Sequence, residues 1–76
     1  MSINEFIETL TNELYKNLFY DIVINKIYNK YDGTYLIHII AKRNGVNYDY
    51  NYGYSINEKW LNNQCINDIV NCLLNM

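Results

Sequence analysis

The chain has 76 residues and a formal net charge of −2, and half of its residues are hydrophobic. This length predicts a single domain over residues 1–76, and the apolar content favours a folded chain over a disordered one. The eight acidic and six basic side chains are dispersed, which argues against nucleic acid as a partner, and no apolar run approaches the length of a membrane span.

Two helix starts are predicted from a repeated tetrapeptide, Ser-Ile-Asn-Glu, at positions 2–5 and 55–58. In such a capping box the serine oxygen accepts from the backbone N–H three residues on, and the glutamate reaches back to the serine N–H. Apolar residues at helical spacing follow each copy, and we expect Trp60 to anchor the core. The two predicted buried stripes are Ile3, Phe6, Ile7, Leu10, Leu14 and Leu18, and Trp60, Leu61, Cys65, Ile66, Ile69, Val70, Leu73 and Met76.

Three strands are predicted between the helices, at residues 19–28, 34–43 and 46–54. The dipeptides Asp32-Gly33 and Asn44-Gly45 join them, and both suit a two-residue type I′ turn. On this register Ile39 pairs with Tyr50, and Tyr28 pairs with Ile37. The predicted fold is therefore α+β with the order α-β-β-β-α, a three-stranded antiparallel meander with both helices packed on one face.

Four tyrosines alternate along the third strand and so share one face of the sheet. On the predicted register they stand beside Ile37 and Ile39, on the most apolar face that the two helices can cover. We interpret this ladder as core with hydroxyls at the rim; an exposed stacking platform is the alternative. The ladder comprises Tyr48, Tyr50, Tyr52 and Tyr54.

The opposite face of the sheet, called the outer face below, has no third helix to cover it. It presents an apolar strip beside asparagine and aspartate, a pattern typical of interaction surfaces, although a mildly apolar solvent face is the alternative. We predict a protein partner here, and a homodimer of two outer faces is another way to bury the strip. The predicted contact residues, including the hairpin ends, are Val23, Ile27, Leu36, His38, Ile40, Asp49, Asn51, Lys42 and Arg43.

Candidate chemistry is sparse. His38 has Asp49 as its predicted diagonal neighbour, a pairing that suits a general base, but no nucleophile is expected on that face, which favours a polar interface histidine. Cys65 and Cys72 lie seven positions apart on the last helix, about 10.5 Å and too far for a disulfide, so we expect reduced, buried cysteines in a cytosolic protein. No catalytic residue, cofactor or metal site is predicted.

The element order resembles that of the double-stranded RNA-binding domain. The segment "NGVNYDYNYGYSINEKW" is similar to that family's third strand and to its Gly-x-Ser entry into the last helix, at Gly53 and Ser55. The resemblance implies, as the alternative function, a nucleic-acid-binding module that would depend on Lys42, Arg43 and Lys59.

The chain also resembles small phage-encoded anti-CRISPR inhibitors. The similar segments are "SINEFIETL", the hairpin "TYLIHIIAKRNGVNYDY" and the helix entry "SINEK", and the asparagine-rich composition is typical of an AT-rich genome. This resemblance implies a non-enzymatic inhibitor in the host cytoplasm. Its partner would be a protein such as a Cas effector complex, blocked by surface occlusion.

Overall fold

The computed structural model describes the backbone of residues 1–76 and the side chains of all residues except 53–55. Helix α1 spans Ile3–Lys16 and helix α2 spans Asn63–Leu74, with a short 3-10 helix at Glu58–Trp60. The strands are β1 (Tyr20–Asn29), β2 (Thr34–Arg43) and β3 (Val46–Ile56), in the sheet order β1-β2-β3. The predicted α+β class, the α-β-β-β-α order and the antiparallel meander are confirmed.

The turn between β2 and β3 is the predicted type I′ turn. Asn44 has φ 54° and Gly45 has φ 75°, the left-handed pair that this turn requires. Arg43 therefore pairs with Val46, and Ile39 pairs with Tyr50 as predicted. The register of this hairpin is confirmed from the turn to the pair of Ile37 with Tyr52.

The turn between β1 and β2 is longer than predicted. Asn29 pairs with Thr34 across a four-residue loop, in which Gly33 has φ 70° and Asp32 is not left-handed. The Asp32 carboxylate instead accepts from the Thr34 N–H at 3.1 Å and from its hydroxyl at 2.5 Å. The predicted pairs of Tyr28 with Ile37 and of Ile24 with Ala41 are therefore wrong, since their partners are Tyr35 and Ile39.

Two irregularities modify the sheet margins. Between Tyr20 and Val23 the β1 register shifts, and Asp21 has φ 50°, the left-handed geometry found in one class of β-bulge. On the other side, Tyr35 pairs with Ile56, so its predicted pairing with Tyr54 is wrong. Gly53 and the side chains of Tyr54 and Ser55, which the ladder and the helix-entry predictions used, lie outside what the structure describes.

The core lies between the sheet and both helices, which pack on the same face. Helix α1 lies against β1, and helix α2 lies against β3. Buried apolar side chains of the helices meet the central strand β2, so the predicted two-layer arrangement is confirmed. The buried set is Ile3, Phe6, Leu10, Leu14, Phe19, Ile37, Ile39, Ala41, Leu61, Ile66, Ile69, Val70 and Leu73.

Helix α1 ends in a Schellman motif that uses leucine where glycine is usual. The Phe19 N–H donates to the Leu14 carbonyl at 3.0 Å, and the Leu18 N–H donates to the Tyr15 carbonyl at 3.0 Å. Leu18 takes φ 70° and is 70% exposed, so its predicted place in the buried stripe is wrong. The following residue, Phe19, is buried instead.

The last helix begins later than the second Ser-Ile-Asn-Glu, at residues 55–58, predicted. Strand β3 continues to Ile56, and α2 begins at Asn63 with Asn62 as its cap, whose side chain accepts from the Cys65 N–H at 3.1 Å. Glu58 does not stay local, because its carboxylate accepts from the Ile3 N–H at 2.6 Å. Trp60, predicted to be core, is 72% exposed.

Candidate interaction surface

The outer face is organised in rows that cross the strands. Because side chains alternate between faces along a strand, the register assigns three successive rows to this side. The valine row is Val23, Ile40 and Asp49; the asparagine row is Asn25, His38 and Asn51; the leucine row is Ile27 and Leu36.

The four-residue loop between β1 and β2 determines which residues share a row on the outer face. The predicted two-residue turn would have paired Val23 with Lys42 and Ile27 with His38. The observed register instead pairs Val23 with Ile40 and Ile27 with Leu36. Relative to the predicted register, β1 is shifted by two positions along β2, and this leaves each residue of β1 on its predicted face. It also gathers the apolar residues of the outer face into two cross-strand pairs.

The outer face is divided lengthwise into an apolar half on β1 and β2, interrupted by Asn25 and His38, and a polar half on β3. Val23 is 49% exposed, Ile27 is 57% exposed and Ile40 is 38% exposed, and all three lie on β1 or β2. Strand β3 contributes the exposed polar residues Asn47, Asp49 and Asn51. An apolar patch with a polar margin is the arrangement found in protein interfaces.

His38 and Asp49 form the one side-chain hydrogen bond recorded within the three rows. His38 Nε2 lies 2.5 Å from Asp49 Oδ1, and the half-buried ring is oriented by a carboxylate that remains 70% exposed. His38 lies between Asn25 and Asn51, so the predicted neighbour Ile27 is wrong and the diagonal contact with Asp49 is confirmed. The contact orients the His38 ring through one of the two oxygens of the Asp49 carboxylate.

The two predicted cationic contacts lie apart. Lys42 follows the valine row on the outer face, with Nζ 3.7 Å from Asp21 Oδ2. Arg43 points to the helix side, where its Nε donates to the Asn17 carbonyl at 3.0 Å. Its guanidinium also lies 5.8 Å from the centre of the Phe19 ring. Eight of the nine predicted contact residues therefore lie on the outer face. The ninth, Arg43, lies between the end of α1 and the sheet.

The described members of the tyrosine ladder lie on the helix side, as the core interpretation predicted. Tyr48, Tyr50 and Tyr52 are half-buried and pack against the core. A hydrogen bond with the Cys72 thiol, together with burial, raises the pKa of Tyr50. Burial raises the pKa of Tyr52 well above its usual range, with a hydrogen bond to Cys65 as the next contribution.

We expect Tyr52 to make the fold sensitive to alkali. Its folded pKa lies above the value of about 10 in an unfolded chain. Its contribution to stability is therefore complete below pH ~10 and is lost as the pH rises through the folded pKa. Urea unfolding between pH ~9 and ~11 should show a steeper loss for the natural chain than for Tyr52→Phe. The control is Tyr31→Phe, since Tyr31 is 90% exposed; an equal change of slope in both variants would contradict the prediction.

The two cysteines lie on α2, away from the outer face. Both thiols are free; Cys65 is half-buried and Cys72 is exposed, so the predicted burial of Cys72 is wrong. Within the described residues, no group of three or more metal-ligating side chains converges and no cavity opens. None of the described helices is long and apolar enough to cross a membrane.

Exposed aromatic residues outside the outer face escaped the sequence prediction. Trp60 projects from the 3-10 helix, and Tyr31 projects from the β1–β2 loop with Lys30 Nζ 5.7 Å from its ring centre. Both belong to the end of the sheet at which Ile56 pairs with Tyr35. The helical spacing of Trp60 with the α2 residues concealed its exposure, because periodicity does not separate a 3-10 turn from the start of an α-helix.

Comparison of the chain with protein-family models, with curated proteins and with solved structures finds no match.

Proposed function

We propose that this chain is a small, non-enzymatic protein-binding module that docks through its outer face. The observation that carries the proposal is the pairing of apolar residues on β1 and β2, Val23 with Ile40 and Ile27 with Leu36; Leu36 is half-buried and the other three are exposed. Exposed apolar side chains in contact with one another lose water together when a partner covers them, which is the main driving force of association.

The polar half of the outer face defines the chemistry of the partner. Asp49 offers a largely exposed carboxylate beside Ile40, and the side-chain amides of Asn47 and Asn51 flank it. A matching surface carries an apolar patch with hydrogen-bond donors along one side, among them a lysine or arginine for Asp49.

Within this class, we propose an inhibitor encoded by a phage, which occludes a surface of a CRISPR-Cas effector complex in the host cytoplasm. The support is the resemblance of the three segments quoted above, together with a chain small enough to present little besides its binding face. The low net charge favours occlusion of a protein surface over imitation of DNA.

A nucleic-acid-binding module is the second candidate, because the α-β-β-β-α order is that of the double-stranded RNA-binding domain. The loop "YNKYDGTY" departs from that family's Gly-Pro-x-His type of loop, and Lys59 alone follows Ser55 where the family has a lysine cluster. Lys42 is paired with Asp21, and Arg43 is held by Asn17. These contacts direct two of the three required cations away from a common phosphate track.

The inhibitor proposal is tested by phage plating on a bacterium with an active CRISPR-Cas system directed against that phage. Expression of the natural chain should restore plating by at least about tenfold, and Leu36→Glu and Ile40→Glu should abolish the effect, because each places a charge within the apolar pairs. No rescue by the natural chain, against effector types chosen from low-GC bacteria, would remove the inhibitor proposal.

The matched control is Leu18→Glu, the same substitution at an exposed leucine that follows α1 and is not part of the outer face. It should behave as the natural chain in plating and in affinity capture from nuclease-treated lysate. A captured protein that also persists with Leu36→Glu would show that the outer face is not the docking surface. Capture of RNA or DNA, lost after nuclease treatment and weakened steeply by salt, would favour the nucleic-acid module.

A further inference from the structure

We infer that the free protein forms a weak symmetric dimer in which two outer faces cover each other. The partner is a second copy of this chain, and the order of the three rows makes the outer face complementary to itself. The dimer needs no foreign partner, so its test is independent of the test of the proposed function.

The rows are arranged symmetrically about the asparagine row. A two-fold axis that lies in the interface along this row reverses the strand direction of the second copy and places β1 over β1 and β3 over β3. The valine row of each copy then meets the leucine row of the other. The apolar halves on β1 and β2 then cover each other.

The residues on the axis are suited to meeting their own copies. Asn25 and Asn51 carry amides that both donate and accept hydrogen bonds, so each can pair with the same residue across the axis. His38 already bonds Asp49 within its own chain. The two Asp49 carboxylates lie two positions from the axis in opposite directions, about 14 Å apart along the strands, which limits their repulsion.

The layer arrangement permits this packing. Both helices lie on the other side of the sheet, so two outer faces can approach to about 10 Å, the usual separation of packed sheets. The product is a four-layer sandwich of helices, sheet, sheet and helices.

The area of the face predicts a weak dimer. Three strands of about ten residues give a projected area of roughly 490 Å² for each copy. The sum for two copies is near the lower limit of about 1,000 Å² for specific interfaces. The dimer should therefore dissociate on dilution, which leaves the outer face accessible to a tighter partner.

The experiment is sedimentation equilibrium of the purified chain over a wide concentration range. We expect the apparent mass to rise with concentration from 9.1 kDa towards twice that value. Asn25→Asp and Asn25→Lys should each weaken the dimer by about tenfold or more, because like charges then face each other across the axis. An equimolar mixture of the two variants should regain the dimer through opposite charges. Asn12→Asp, on the exposed side of α1, is the matched control and should change nothing.

A mass of 9.1 kDa at every concentration would overturn the inference. So would a dimer that survives Asn25→Asp, or a mixture that fails to recover. Leu36→Glu distinguishes the face from the sheet edge, because Leu36 lies on the central strand, where no edge-to-edge contact reaches it. A dimer that persists in this variant would also refute the two-face arrangement.

Discussion

Phe19→Ala is expected to destabilise the fold by about 3–5 kcal/mol, the range for removing a buried phenylalanine ring. Phe19 is 2% exposed, and its ring meets Tyr48 edge-to-face with 5.5 Å between centroids. The Arg43 guanidinium covers the same ring. One side chain thus joins the end of α1 to β2 and β3.

The expected loss of about 3–5 kcal/mol is large relative to the total stability of the domain. A domain of this length is stable by only about 4–11 kcal/mol, so the variant should be partly unfolded at 37 °C or close to it. Urea denaturation followed by circular dichroism measures the difference. Leu18→Ala is the control, because Leu18 is the neighbouring residue with an exposed side chain; its expected change is below about 0.5 kcal/mol. Comparable losses in the two variants would show that the ring of Phe19 has no special role.

Glu58→Ala is expected to destabilise the chain by about 1–2 kcal/mol, because the Ile3 N–H then loses a charged acceptor at the N-terminus of α1. The bond spans 55 positions of sequence. It therefore ties the 3-10 segment to α1 as well as capping the helix. Glu58→Gln keeps an acceptor oxygen and loses the charge, so it should fall between the natural chain and Glu58→Ala.

Thermal and urea unfolding in low and high salt separate the two contributions. The part due to charge should shrink in high salt, whereas the part due to the hydrogen bond should persist. Glu8→Ala, at an exposed glutamate of α1, is the control and should change stability little. A Glu58→Ala variant as stable as Glu8→Ala would mean that the long-range cap contributes nothing.

The element order and the faces of the strands were predictable because they depend on short-range patterns. Asn44-Gly45 supplies both left-handed residues that a type I′ turn needs, so the register of the second hairpin follows. The first hairpin failed because the Asp32 side chain closes a longer loop with Thr34. The error was two positions, which preserves the face of every residue, so the outer face was located correctly with the wrong neighbours.

The remaining errors arise from contacts between distant residues. The second Ser-Ile-Asn-Glu has the composition of a cap, but its glutamate serves the first helix, and nothing local to residues 55–58 reveals this. Trp60 and Leu18 match the helical spacing, yet Trp60 precedes α2 in the 3-10 helix and Leu18 follows the end of α1. Arg43 looked like a hairpin-tip cation, and its contact with Asn17 joins segments 26 positions apart.

Two features of β1 bear on the behaviour of the protein at high concentration. A ten-residue edge strand without proline is a template for the open-ended addition of further strands. The bulge at Asp21 bends one end of this edge, and Lys26 places a charged chain on the helix side, where its Nζ reaches Asn4 at 2.6 Å. A chain that docked here in register would have to bury that ammonium group. These two residues thus disfavour the open-ended addition of further copies at the β1 edge.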